Sequence, residues 1–114
     1  LLQFRTKFPN TFNQDNWSRL ARHVTGEAGL RPDDVNLFLF TQINIESIIA
    51  TMDVLGLPME RTHNVMDRFG YTGSACVPMA LNDAWEKGRL KSGDLVCLIA
   101  TGGGSALAAT LLRW

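Results

Sequence analysis

The stretch FLFTQINIES (residues 38–47) decides the fold. Its first three residues continue an apolar run that begins at Val35, and a short run this apolar suits a β-strand covered on both faces. Thr41, Gln42 and Asn44 interrupt the run. From Asn44 onward the apolar residues return at three- and four-residue steps (Ile45, Ile48, Ile49, Met52, Leu55), the rhythm of a helix with one buried face. A strand that hands over to a helix in so few residues is a joint of α/β architecture. In such domains ligands bind outside the carboxyl ends of the strands. The three polar side chains therefore stand where a site belongs.

Reading outward, Trp17, Leu20, Ala21, Val24 and Ala28 give a helix over about Gln14–Ala28, with Gly29 as its stop. Residues 1–13 read as a short strand followed by a loop. LRPDDV (30–35) is a turn, because Pro32 presets φ and the Asp pair favours a bend. Downstream, Gly56 and Pro58 end the 44–55 helix, and THNVMDRFG (62–70) reads as a short strand and a turn. A helix over 73–87 buries Ala80, Leu81, Ala84 and Trp85. LVCLIA (95–100) is a central strand, Gly102–Gly104 a sharp turn, and Ser105–Trp114 a last strand. These elements make a layered α/β domain spanning 1–114, a mixed sheet with packed helices. The 44–55 and 73–87 helices are expected to pack together on one face of it.

The bulk properties narrow the function. Eleven basic residues balance eleven acidic ones, so the chain lacks the basic footprint of a nucleic-acid binder. No apolar stretch reaches the about 18 residues that span a bilayer, and no signal-peptide pattern opens the chain. Cys76 and Cys97 lie in different elements without CxxC spacing or a nearby His, which reads as reduced thiols in a cytoplasmic protein. No metal or cofactor is expected. The chain begins with Leu1, which is read as a processed piece of something longer.

Three blocks carry a resemblance. FTQIN (40–44), DRFGYTGSACVPMAL (67–81) and GRLKSGDLVCLIATGGGSALAATLLRW (88–114) stay in register with the C-terminal half of β-ketoacyl-(acyl carrier protein) synthase III, a condensing enzyme of the thiolase superfamily. The corresponding family blocks are Pro-His-Gln-Ala-Asn, Asp-Arg-x-Gly-Asn-Thr-Ser-Ala-Ala-Ser-x-Pro-x-Ala-Leu, and a closing Gly-Arg-(Ile/Leu)-Lys-x-Gly-Asp with Gly-Gly-Gly. The first 34 residues fit more loosely. The resemblance implies a half-thiolase fold and an acyl thioester substrate, delivered by coenzyme A or acyl carrier protein. It also implies a homodimer in full-length form, and an N-terminal half, absent from this chain, that supplies a Cys nucleophile.

Two departures bear on the chemistry. The family His and Asn, which bind the malonyl thioester carbonyl, are replaced by Thr41 and Tyr71. Thr41 donates one hydrogen bond but has no titration near neutral pH. Two hydroxyls aimed correctly still make an oxyanion hole. Gly103 matches the family glycine whose backbone N–H holds the thioester oxygen, and it equally suits a tight turn needing positive φ. Thr41, Tyr71 and Gly103 are the expected catalytic positions, converging on one pocket. Gln42, Asn44, Gly102 and Gly104 are expected to bind substrate, although Asn44 is also a good helix N-cap.

Other residues are weaker candidates. Cys76, near a helix start, reads as packing rather than as a second nucleophile, and His23 and His63 have no carboxylate or Cys partner at useful spacing. Glu46, Asp53 and Val54 occupy places where the family presents basic side chains to its carrier protein, and the two acids would repel an acidic carrier. Two functions follow: an acyltransferase whose acceptor needs no decarboxylation, or a degenerate subunit that pairs with an active synthase.

Overall fold

In the computed structural model, which describes residues 6–114, the central strand is β2 (Leu95–Gly102). On one side β1 (Leu37–Phe40) runs parallel to it, in a register pairing Leu37 with Val96 and Phe40 with Ile99. On the other, β3 (Ala106–Arg113) runs antiparallel, pairing Gly102 with Ala106 and Leu95 with Arg113. The sheet is therefore mixed, with the order β1-β2-β3. All four β1 residues are buried, as an uninterrupted apolar strand requires.

Alternation along the strands separates two cores. Phe38, Phe40, Cys97 and Ile99 face one way, against Trp17 and Ala21 of α1 (Phe12–Glu27) and Ile48 and Met52 of α2 (Ile45–Leu55). The Trp17 ring stacks on Phe40 with centroids 5.2 Å apart. Leu37, Leu39 and Val96 face the other way. They pack on Val65, Leu90 and the Val77, Ala80 and Ala84 stripe of a further helix, Cys76–Glu86.

The expectation that the 44–55 and 73–87 helices share one face is thus wrong. They lie on opposite faces of the sheet, and α1 is the partner of α2. The physical reason lies in β1 itself, because a strand apolar on both faces needs a helix on each. The expected strand within 62–70 is also corrected. Thr62 makes one isolated parallel bridge to Phe38. The chain then forms a single-turn helix, α3 (Met66–Phe69), which makes Cys76–Glu86 the fourth helix, α4. Side chains take the place of a ladder there: Gln42 Oε1 accepts the Val65 N–H, and Arg89 donates to the Thr62 carbonyl. The short strand expected within 1–13 lies partly outside the described residues; from Thr6 to Thr11 there is none, and α1 opens at Phe12.

Cys76 and Cys97 are both buried free thiols, placed in the cores on opposite faces of the sheet. Among the described residues, no helix is long and apolar enough to cross a membrane.

Candidate active-site cleft

The carboxyl end of β1 and the β2–β3 turn open on the same cleft, of about 440 Å³. Thr41, one residue beyond β1, lines it and is only 3% exposed. Tyr71, between α3 and a 3-10 turn at Gly73–Ala75, contributes a half-exposed ring. Gly102 and Gly103 enter from the end of β2. Of the seven site residues expected from sequence, these four come together.

The other three do not line the cleft. Gln42 is fully buried and acts as a latch, its Nε2 donating to the Phe40 carbonyl and its Oε1 accepting from Val65 N. Asn44 caps α2, its side-chain oxygen accepting the Glu46 N–H at 3.0 Å. It borders a separate groove with Ile43, Ile45 and Met66. Gly104 belongs to the turn: its φ of 73° is in the left-handed region, and Ser105 follows at 58°. The positive φ considered for Gly103 therefore sits one residue later. A Cβ built at Gly103 meets nothing within 4 Å, so neither crowding nor a positive φ explains the glycine there.

Sequence reasoning missed Thr101, Ser74 and the place of Cys76 on the cleft wall. Thr101 stands beside the glycine run, which is the signal that could have found it. Its backbone N–H donates to Thr41 Oγ1 at 2.9 Å. Its own hydroxyl accepts from Trp17 Nε1 at 2.8 Å and donates to Asn13 Oδ1 at 3.1 Å. The start of α1 thus fixes Thr101, and Thr101 fixes Thr41. Because Thr41 Oγ1 is used there as an acceptor, its hydrogen is left to donate to another partner.

Among the described residues, none that lines the cleft is charged. Its polar groups are hydroxyls and backbone amides, suited to holding a neutral carbonyl or a developing oxyanion. Cys76 is buried at the first turn of α4 and belongs both to the core and to the cleft wall. Cys97 lies outside it, and burial pushes its thiol up to about 12, which makes it inert packing.

The histidines also need correction. His23 pairs with Glu27 one turn on, at 3.3 Å on an exposed helix face. His63 is buried, with Nε2 2.6 Å from Asp83 Oδ2. Twenty residues separate that pair in sequence, which is why spacing did not reveal it. Neither histidine lines the cleft.

A family model described as "3-Oxoacyl-[acyl-carrier-protein (ACP)] synthase III C terminal" matches residues 26–114. The chain belongs to this family. Beta-ketoacyl-[acyl-carrier-protein] synthase III of Roseiflexus sp. (strain RS-1) is 46% identical over 87 residues, covering 76% of this chain and 26% of that protein. The same-named protein of Syntrophomonas wolfei is 39% identical over 95 residues, covering 83% and 29%. The crystal structure of 3-oxoacyl-[acyl-carrier-protein] synthase III from Aquifex aeolicus VF5 superposes with a TM-score of 0.86 at 34% identity, over 89% of this chain and 33% of that one. The fold is thereby the thiolase-like α/β layer of the synthase III family. The chain spans about a quarter to a third of the length of these relatives.

Proposed function

We propose that this chain is the C-terminal half of a synthase III-like acyltransferase of fatty-acid or secondary-metabolite biosynthesis. It acts on acyl thioesters of coenzyme A or acyl carrier protein, with a Cys nucleophile supplied by the N-terminal half of the same protein. The observation that carries this reading is the cleft in which Thr41, Tyr71 and Gly103 meet. Thr41 and Tyr71 each bring a hydroxyl donor and Gly103 a backbone N–H, the donor types that hold a thioester oxygen as it becomes an oxyanion.

Thr41 and Tyr71 stand where the family has His and Asn, and among the described residues no histidine or charged side chain lines the cleft. Malonyl decarboxylation therefore loses its usual assistance, and the acceptor is an alcohol, an amine or a ready-made carbanion. Glu46 and Asp53 are exposed on α2, which disfavours an acidic carrier protein on that helix. On the outer side of α4 the half-exposed Phe69 shares a groove with Pro78 and Met79, and Trp85 of the same helix is 56% exposed, apolar surface that suits packing against the N-terminal half. The reading includes a cytoplasmic homodimer that needs no metal or cofactor.

The test compares the intact protein with Thr41→His plus Tyr71→Asn, measuring carbon dioxide release from malonyl thioester and acyl transfer to alcohols and amines. The expected result is acyl transfer without decarboxylation in the unmodified protein, and a gain of decarboxylation in the double variant. Ordinary condensation by the unmodified protein overturns the altered-acceptor reading. Inactivity in every assay, with a tight complex to an active synthase, favours the degenerate partner subunit.

A further inference from the structure

The segment that delivers Tyr71 to the cleft has little regular structure of its own. Between the lone bridge at Thr62 and the turn at Gly73 its regular structure is the single-turn α3, followed by Gly70 at a φ of 62°. Backbone bonds inside this stretch are local, from Arg68 and Phe69 to the Val65 carbonyl and from Gly70 to Met66. Such bonds shape the segment but leave its angle to the domain open.

Gln42 Oε1 ties the segment's middle to the domain through the Val65 N–H, and Asp83, on α4 and 8% exposed, holds it on either side of that point. Its Oδ2 accepts from His63 Nε2 at 2.6 Å, Arg68 Nη2 at 2.6 Å and Lys87 Nζ at 3.1 Å. Arg89 completes the arrangement, donating to His63 Nδ1 at 3.0 Å and to the Thr62 carbonyl at 2.6 Å. A guanidinium only donates, so Nδ1 is the acceptor and Nε2 carries the hydrogen given to Asp83. One carboxylate thus grips the segment near its start, at His63, and again three residues before Tyr71, at Arg68. Lys87 is a neighbour on the helical surface four residues on and holds nothing of the segment.

We propose that Asp83 is a positioning residue for Tyr71: by clasping Arg68 and His63 it fixes how the 63–71 segment presents the tyrosine to the cleft. The consequence for catalysis rests on the acyltransferase reading; the placement does not. The carboxylate is mostly shielded from solvent, so its bonds are screened less than those of a surface ion pair. Replacing it removes the one acceptor shared by both arms and leaves Arg68 and Lys87 without their common counter-charge.

The experiment places fluorotyrosine at position 71 of the intact protein and records its ¹⁹F resonance with Asp83→Asn, Arg68→Gln and Lys87→Gln. Amide exchange in β2 and α4 monitors the fold. Asp83→Asn and Arg68→Gln are expected to move or broaden the resonance and to speed exchange at residues 68–70 by 10-fold or more, roughly the loss of one anchoring interaction, while β2 stays protected. Lys87→Gln is expected to leave both unchanged. In the acyl-transfer assay the same two variants lower kcat more than they raise KM, because a misplaced donor is felt in the transition state. An unmoved resonance in a folded Asp83→Asn protein overturns the proposal. If Asp83→Asn unfolds the protein, Arg68→Gln decides, since that side chain is 40% exposed and its loss leaves the His63 arm intact. A moved resonance in a protein that transfers no acyl group upholds the positioning and rejects the acyltransferase.

Discussion

The backbone N–H of Thr101 reaches Thr41 Oγ1 across 2.9 Å, so a hydroxyl on the cleft wall is held by the neighbouring strand. One oxygen serves both the sheet edge and the site. Thr41→Val keeps the shape and removes the oxygen, leaving the Thr101 N–H without its acceptor. Stability should fall by about 1–3 kcal/mol, the cost of an unmet buried donor, read as a lower denaturant midpoint. Acyl transfer should fall roughly 100- to 1,000-fold, as for loss of one oxyanion donor. Thr41→Ser, which retains the oxygen, should restore most of both.

Gly103 and Gly104 separate turn from site. Gly104 sits at positive φ, and Gly104→Ala should destabilise by about 1 kcal/mol through backbone strain. Gly103→Ala meets open space on the chain and should leave the melting temperature unchanged. A loss of acyl transfer in that variant then reports a methyl intruding on bound substrate. Equal destabilisation by the two substitutions would contradict the assignment.

Trp17 links α1 to the cleft through its Nε1–H on Thr101 and its stack on Phe40. Trp17→Phe should keep most of the packing and lose the hydrogen bond, at about 1 kcal/mol. Trp17→Ala should cost about 3–5 kcal/mol, because it also empties a fully buried site. Chemical denaturation of the two variants gives the comparison.

Asp83 makes stability sensitive to acid. Arg68 first, then His63, hold its carboxyl below the ordinary carboxylate range. A group depressed on folding adds stability that is fully present above its unfolded value of 3.8 and declines as the pH falls below it. Asp83→Asn removes this contribution. Its melting temperature should therefore sit below that of the unmodified protein at pH 7, with the gap narrowing below about pH 4. A gap that is constant with pH would show that the carboxyl is not held in this way.

Cys97 should be silent to thiol reagents in the native state. With its thiol pushed up to about 12, only about one molecule in ten thousand is thiolate at pH 8. Alkylation mapped by mass spectrometry should find Cys97 modified in denaturant and untouched in buffer.

Residues near in sequence spell out the elements. The apolar run at 35–40, the three- and four-residue steps after Asn44 and the GGG before a last apolar stretch each express a local periodicity. The three blocks fall at the joints of these elements, whose spacing along the chain is set by the lengths of the helices and strands between them. The convergence of Thr41 and Gly103 follows from the same joints, since the ends of β1 and β2 share one edge of the sheet, whereas Tyr71 arrives on the irregular segment between α3 and α4.

What spans distant segments is not written in any periodicity. Which helix covers which face depended on β1 having two apolar faces to bury, and the 44–55 and 73–87 helices took opposite ones. The 62–70 segment became a turn of helix rather than a strand because Gln42 and Arg89 supplied its hydrogen bonds from elsewhere. The His63–Asp83 pair and the Thr101–Thr41 bond join residues 20 and 60 positions apart. Such contacts arise only when packing removes water from both partners and leaves each polar group the other to bond.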